Sequence, residues 1–555
     1  MFENPIKKRK HLSSVLNAPT SSDVIFNVCL AILFALLVSV TIIIRIRMLG
    51  MPLDRDVGEY AYAGQLMLEG VPPYSLAYNM KMPGIYAAYA VILAIFGQGS
   101  SGIHLAIIFI NTATIILLFF ITKKLFGPIA GVAAGVFFAI TSISNLVQVT
   151  ANAENFVVLF ALAGILFLMS FTDKRKIAFL ITAGLLMGMA FMMKQHGAGF
   201  MLFGLFYLLC KYLSNRPIVW KEIVRVIFIY SFFSVLPFLV TCLILWRCGV
   251  FEKFWFWTFE YARHYVSLNT AAMGYGCLRE TLVRIVPSTW SFWLTALLGL
   301  LSIIWNKEIR RNGMFITGFL FFSILSVCPG LYFRPHYFML LLPAVCVLAG
   351  VFVVAVRDLL KSRVKTISKA TFISITVILF VWIQNFYTHR NYLFETNADY
   401  LSRLNFGNLP FAELVKVADF IKANSNKDDK VVVFGSEPQI YFYSHRRSGT
   451  GFIYTYPLME RQPLANQMQK EMINQIEASK PRFIIVMKTV DSWMPLVDSE
   501  KLIFDWSVEY LPKHYRQIGL VEMFYKERQP TLYRWDSVAK PTKDMGWIMI
   551  TERID

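Results

Sequence analysis

Three carboxylates crowd into six positions of one short segment, Asp54-Arg55-Asp56-Val57-Gly58-Glu59-Tyr60. A carboxylate can take the proton of a hydroxyl as a general base, so this is a candidate catalytic loop. On a helix Asp56 and Glu59 (i, i+3) share a face, and Asp56 and Tyr60 (i, i+4) are neighbours. The plainer alternative is a capping box, with Asp56 at the N-cap and Glu59 reaching back to its amide. Downstream come Gly70-Val71-Pro72-Pro73-Tyr74 and Asn79-Met80-Lys81-Met82-Pro83-Gly84. Lys81 could hold a phosphate by charge-assisted hydrogen bonds, or simply reach to the membrane surface. Three more polar positions stand at the ends of apolar runs: Glu154, Lys194-Gln195-His196 and Arg334-Pro335-His336-Tyr337. A single cation at a helix end is commonly an anchor. Two acids with Lys81, Lys194 and Arg334 on one face are more: the acids can work on a hydroxyl while the cations hold an anionic leaving group. His196 and His336 could ligate a metal, but no HExxH or paired-histidine spacing accompanies them, so no metal is expected.

These residues depend on a membrane scaffold. Of 555 residues 56% are hydrophobic and 16% charged, and the mean hydropathy is +0.53, too apolar for a water-soluble protein. Repeated apolar runs approach the roughly 20 residues that cross a bilayer. Spans are expected near 24–44, 103–121, 128–144, 155–171, 177–193, 197–213, 226–245, 289–305, 313–329, 337–356 and 370–387, about eleven in all. The first run is too long for a signal peptide and lacks a small-residue cleavage site, so it reads as a helix with a cytoplasmic N-terminus carrying Lys7-Lys8-Arg9-Lys10. With that orientation Lys123-Lys124, Lys174-Arg175-Lys176, Lys211 with Arg216, Lys221 and Arg225, Lys307 with Arg310-Arg311, and Arg357 through Lys369 all fall inside. Ile85–Phe96 is too short to span and reads as re-entrant or interfacial; counting it would reverse every later cluster. Topology therefore accounts for much of the net charge of +19, and with no basic stripe bearing exposed aromatics, nucleic acid is dropped.

Three segments then lie outside. The first runs from about Arg45 to Gly102. The second, about Arg247 to Ser288, holds Phe254-Trp255-Phe256-Trp257 and Phe259, rings suited to an interfacial belt rather than a core. It also holds Cys248 and Cys277, the one pair of the seven cysteines for which a disulfide is an option. The third follows about Thr388. There short β-rich runs, Lys430–Phe434 and Arg482–Met487, alternate with helical patterns near Pro410–Asn424 and Gln462–Ser479, the signature of a small α/β domain. No internal repeat, Walker A loop or Rossmann glycine fingerprint is present. The chain divides into a cytoplasmic segment 1–23, a membrane domain 24–387 with its outer loop 45–102, and an extracytoplasmic α/β domain 388–555.

The order of these elements resembles the GT-C-fold glycosyltransferases of the glycosyltransferase 39 and 83 families, the group of protein O-mannosyltransferases and lipid A aminoarabinose transferases. The resemblance rests on Asp56-Val57-Gly58-Glu59-Tyr60, Lys81-Met82-Pro83, Glu154, Lys194, and Arg334-Pro335-His336-Tyr337 with Leu341-Leu342-Pro343-Ala344, and covers about residues 24–356. It implies a bacterial plasma-membrane enzyme that moves a sugar from a polyprenyl-phosphate donor to an acceptor hydroxyl of a lipid, glycan or protein at the outer face. Asp56 would be the base, with Glu154 positioning it or the acceptor. Lys81, Lys194 and Arg334 would hold the donor phosphate, and Asp54, Glu59, Tyr60, Tyr74, His336 and Tyr337 would contact substrate. The α/β domain would help to bind the acceptor, through Glu437-Pro438-Gln439. Departures from the family pattern are Met82 between Lys81 and Pro83, Met80 where an acid often stands, which weakens any borrowed metal site, and the imperfect register of Arg334. A transporter or lipid flippase is the alternative, with the same charges as a gate, but charge within the spans is scarce and no pair of broken helices is evident. A scaffold that merely displays the α/β domain leaves the polar first loop unexplained.

Overall fold

The computed structural model describes residues 21–144, 150–214, 216–363, 367–523, 531–542 and 546–555. Lys7-Lys8-Arg9-Lys10, and Lys365 of the last basic cluster, lie outside these residues. A bundle of apolar helices carries a smaller α/β unit built around a five-stranded sheet.

Among the described residues, eight segments are long and apolar enough to cross a membrane: Ile25–Arg47, Ser100–Phe126, Ala153–Lys174, Gln195–Leu213, Trp220–Arg247, Ala271–Trp305, Leu342–Lys361 and Ala370–Thr388. The other three expected spans fall on shorter helices, Pro128–Thr141, Ile177–Met193 and Gly313–Val327. At 1.5 Å per residue these reach roughly 21–26 Å, against ~30 Å for the hydrocarbon layer. Pro128–Thr141 is buried from Ile129 to its end, which explains a helix that is apolar all round: its neighbours are protein. Ile85–Phe96 forms a helix of 14 residues, Pro83–Phe96, with proline at its start where a missing N–H costs nothing.

The sheet has the order β1-β2-β5-β3-β4, with β1 (Val431–Phe434) and β2 (Phe483–Lys488) parallel and β3 (Tyr515–Met523), β4 (Leu532–Trp535) and β5 (Gly546–Arg553) joined antiparallel. The Val-rich β1 is buried at every position, as a parallel strand covered on both faces should be. The edge strand β4 alternates exposed and half-buried positions. Helices Phe411–Ala423 and Ala465–Ser479 stand where the helical patterns were expected.

One expectation fails for a packing reason. The aromatic run is not simply an interfacial belt: Phe254 and Trp257 are buried, and the Trp257 ring stacks on Tyr78 at 5.6 Å and meets Phe452 of the α/β unit at 6.0 Å. Only Trp255 is well exposed. All seven cysteines, Cys248 and Cys277 included, are free thiols.

The α/β unit is seated on the helix Arg55–Leu68. The Leu53 amide donates to the Tyr443 hydroxyl (2.8 Å), the Ser448 amide to the Tyr62 hydroxyl (2.7 Å), and Arg447 pairs with Glu69 (2.8 Å). Gly58 permits the approach, since a β-carbon there would stand 2.3 Å from Gln439 Cγ and 3.1 Å from its backbone. Gly58→Leu is therefore expected to lower stability by about 1–3 kcal/mol through overpacking. Thermal unfolding of the purified variant measures this; an unchanged midpoint would mean that the two units are not clamped at this point.

Candidate active site

The helix of the candidate catalytic loop begins at Arg55, and its N-cap is Asp54, whose carboxylate accepts from the Val57 amide at 3.1 Å. The capping-box reading of Asp56 and Glu59 is thereby corrected. With the cap supplied by Asp54, Asp56 in the first turn is free to face outward, where the helix N-terminus favours a negative charge. Its Oδ2 receives a hydrogen bond from Lys81 Nζ at 3.1 Å, and about a fifth of each side chain remains exposed.

The loop that carries Lys81 is fixed from both sides. The Tyr74 hydroxyl donates to the Lys81 carbonyl (2.7 Å), and Gln195 Nε2 donates to the Met80 carbonyl (2.8 Å). Gly84 lies against the backbone of Met192, where a β-carbon would stand 2.4 Å from the carbonyl oxygen. Lys81 and Lys194, distant in sequence, are thus held beside each other. Lys194 bonds Glu154, and its ammonium sits over the Tyr337 ring at 4.1 Å. His336 Nε2 lies 4.0 Å from Glu154. Arg334 donates to the Tyr265 hydroxyl at 3.1 Å and lies over the Tyr332 ring; it meets no carboxylate among the described residues.

These groups surround a cavity of 350 Å³. Asp56, Lys81, Lys194, Arg334 and Tyr337 line it, together with Arg55, Gln195, Tyr265, Tyr332, and Tyr454 and Tyr456 of the α/β unit. The other expected site residues stand behind this wall. Glu154, expected to act on Asp56 or the acceptor, is 1% exposed and does not line the cavity; it anchors Lys194. Asp54 caps the helix. Tyr60 packs beneath the Lys81 ammonium (5.6 Å), and Tyr74 holds the Lys81 backbone. Glu59, expected to touch substrate, is fully buried and accepts from Tyr86 (2.6 Å), Asn79 (2.7 Å) and Tyr454 (3.1 Å). Glu437-Pro438-Gln439 does not reach the cavity either: Glu437 is fully buried, accepting from Ser492 (2.7 Å) and pairing with Arg55 (3.1 Å). Sequence reasoning passed over Arg55, Gln195, Tyr454 and Tyr456. Arg55 and Gln195 stood inside quoted motifs, whereas the two tyrosines carry no local signal because only the docking of the α/β unit brings them here.

The charges are tuned in opposite directions. Burial pushes the Asp56 carboxyl up, but Lys81, with His336, Arg334 and Lys194 behind it, outweighs this and holds it below the usual range, so it is ionised. Burial pushes Asp54 up to about 7, helped by the neighbouring Asp56 charge, and pushes Glu59 up to about 7 against the pull of Lys81. Carboxyls in the unfolded chain titrate near about 4. Between pH 4 and 7 the folded protein therefore binds more protons at these two sites than the unfolded one, and stability should fall as pH rises through that window. Thermal midpoints at pH 5 and pH 8 are expected to differ less in Glu59→Gln than in the wild type. An equal difference would exclude Glu59 as a contributor.

Among the described residues no group of three or more His, Cys, Asp or Glu side chains is arranged to hold a metal ion. Residues 80–241, which include Lys81, Glu154 and Lys194, match the family described as dolichyl-phosphate-mannose-protein mannosyltransferase. The fold is similar to that of ArnT from Cupriavidus metallidurans bound to undecaprenyl phosphate, with TM-score 0.55 and 14% identity over 82% of this chain and 92% of that one. The chain has the GT-C fold of these membrane proteins. The apo state of the same ArnT aligns over 93% of this chain and 97% of that one, with TM-score 0.53 and 14% identity. The archaeal oligosaccharyltransferase AglB from Archaeoglobus fulgidus, in complex with an inhibitory peptide and a dolichol-phosphate, aligns with TM-score 0.51 and 12% identity over 92% of this chain and 75% of that one. No curated protein matches the chain by sequence.

Proposed function

We propose that this GT-C protein transfers a sugar from a polyprenyl-phosphate donor to an acceptor hydroxyl at the outer face of a bacterial plasma membrane. The observation that carries the reading is a pair of unlike spaces lined by neighbouring residues of the same two segments. The polar cavity holds an ionised carboxylate among three cations, and the second space is an apolar groove of 920 Å³. Pro83 and Gly84, just after Lys81, and Met192 and Met193, just before Lys194, line that groove. A lipid whose phosphate met the two lysines would have its chain directed along it. That is the shape of a prenyl phosphate, and the ArnT and AglB structures hold lipids of this class.

In this reading the acceptor hydroxyl gives its proton to Asp56 Oδ2 as its oxygen attacks the anomeric carbon. The bond from that carbon to the phosphate oxygen breaks, and polyprenyl phosphate leaves with the electron pair. Lys81, Lys194 and Arg334 stabilise the charge released on the phosphate, in a site partly shielded from water where such interactions are strongest. Arg334, with no carboxylate partner among the described residues, is the cation that most needs such an anion. Tyr454 and Tyr456 make the α/β unit, proposed as the extracytoplasmic domain 388–555, part of the acceptor wall. Mass spectrometry of lipids that co-purify in mild detergent tests the donor class. A polyprenyl phosphate or its glycoside is expected; retention of bulk phospholipid alone would count against the reading.

A further inference from the structure

We infer that the protein holds an anionic phospholipid by its headgroup in a pocket at the end of the bundle opposite the catalytic cavity. Helix directions establish the placement. Ala153–Lys174 starts just behind the cavity wall with Glu154 and carries Asp173 in its last turn, which pairs with Lys124 at 2.5 Å. Gly313–Val327 runs the other way and ends beside the cavity, where the Ser326 carbonyl meets His196 Nδ1 at 2.7 Å. Leu342–Arg363 starts just after Tyr337 and leads away again. At 1.5 Å per residue the far ends lie roughly 20–30 Å from the cavity.

There the helix ends enclose a pocket of 740 Å³, with Lys307, Arg311, Arg357 and Lys361 set against only Glu308 and Asp358. Both acids are already engaged. Glu308 pairs with Arg311 (3.0 Å), and Asp358 accepts from Arg357 (2.9 Å) and Asn306 (3.3 Å). Lys307 and Lys361 meet no carboxylate among the described residues, so the pocket carries two uncompensated ammonium groups. Its inner wall is apolar, from Leu125, Phe126 and Val354. Ile304 and Trp305, directly before the lining residue Asn306, are exposed to 68% and 51%.

The preference of cytoplasmic loops for cations explains lysines at this end of the bundle. It does not require four cations from two separated segments to converge on a concavity with an apolar wall. A phosphodiester headgroup meets both conditions: its charge answers the ammonium groups, and its glycerol and first methylenes meet the apolar wall. Free phosphate answers only the first. Exposed Ile304 and Trp305 give the acyl chains a neighbouring surface. This site is independent of the sugar-transfer reading, and neither stands or falls with the other.

Native mass spectrometry of the full chain tests it, after equilibration with vesicles of equal phosphatidylglycerol and phosphatidylcholine. The wild type should retain phosphatidylglycerol over phosphatidylcholine by about tenfold or more, and its thermal midpoint should rise with phosphatidylglycerol. Lys307→Glu with Lys361→Glu should abolish the preference; should that pair fail to fold, Lys307→Gln with Lys361→Gln should reduce it several-fold. Lys123→Glu, at the same end but outside the pocket, should leave it intact. Equal retention of the two lipids overturns the proposal. So does equal loss on Lys123→Glu, which would make the effect one of general surface charge. A rise in midpoint with inorganic phosphate equal to that with phosphatidylglycerol also overturns it, in favour of a free-anion site.

Discussion

Asp56→Asn should lower sugar transfer by about two to four orders of magnitude while leaving the fold intact, because it removes the proton acceptor and preserves shape. The helix keeps its cap, which comes from Asp54 and not from Asp56. Donor binding should persist and could tighten, since Lys81 is released from its 3.1 Å contact with the carboxylate and becomes free for phosphate. The expected signature is a collapse of turnover without a loss of lipid affinity. Near-normal turnover in a folded Asp56→Asn protein would place the base elsewhere. Among acids close by, Asp54 caps the helix and Glu59 and Glu154 are sealed behind the wall, so that outcome would put the proton chemistry itself in doubt.

Removing the cations should act on the phosphate and not on the proton transfer. Lys81→Ala is expected to weaken donor use at least tenfold, since a hydrogen bond to a charged group contributes about 1.5–3 kcal/mol. Lys194 calls for a different substitution. It is paired with a buried Glu154, and removing one partner leaves an uncompensated charge at a cost of about 3–5 kcal/mol. Lys194→Gln combined with Glu154→Gln removes the cation and its counter-charge together, so a loss of donor use in that variant reports on phosphate binding and not on unfolding. Free polyprenyl phosphate should inhibit the wild type and lose its hold on both variants. Unchanged inhibition would make the lysines structural anchors and would favour a transport function.

The membrane class and the polar first loop were legible because they rest on local signals: apolar runs near bilayer length, and acids where lipid gives way to water. The convergence of Asp56, Lys81, Lys194 and Arg334 was legible for a related reason, since each stands at the end of an apolar run and positive-inside parity places those ends on one face. Parity has no means of ranking the residues by depth. Glu59 and Glu154 share that level, yet one is consumed by three hydroxyl and amide donors and the other by Lys194. Those partners come from segments up to several hundred residues away, Tyr454 among them. The cavity's far wall was invisible for the same reason, because Tyr454 and Tyr456 become site residues only when Gly58 lets Gln439 settle on the catalytic-loop helix. Helix Pro128–Thr141 is apolar all round because its neighbours are protein, and a hydropathy pattern by itself does not separate such burial from contact with lipid.

The most direct measurement is the release of free polyprenyl phosphate from a panel of polyprenyl-phosphate monosaccharides, followed by lipid mass spectrometry with membrane extract as the acceptor source. The wild type should release it from at least one donor, with the sugar recovered on an acceptor. Asp56→Asn should bind the same donor and release about a hundredth as much or less. Tight binding of the donor with no release beyond that of Asp56→Asn, and movement of the intact lipid across vesicles instead, would contradict the account.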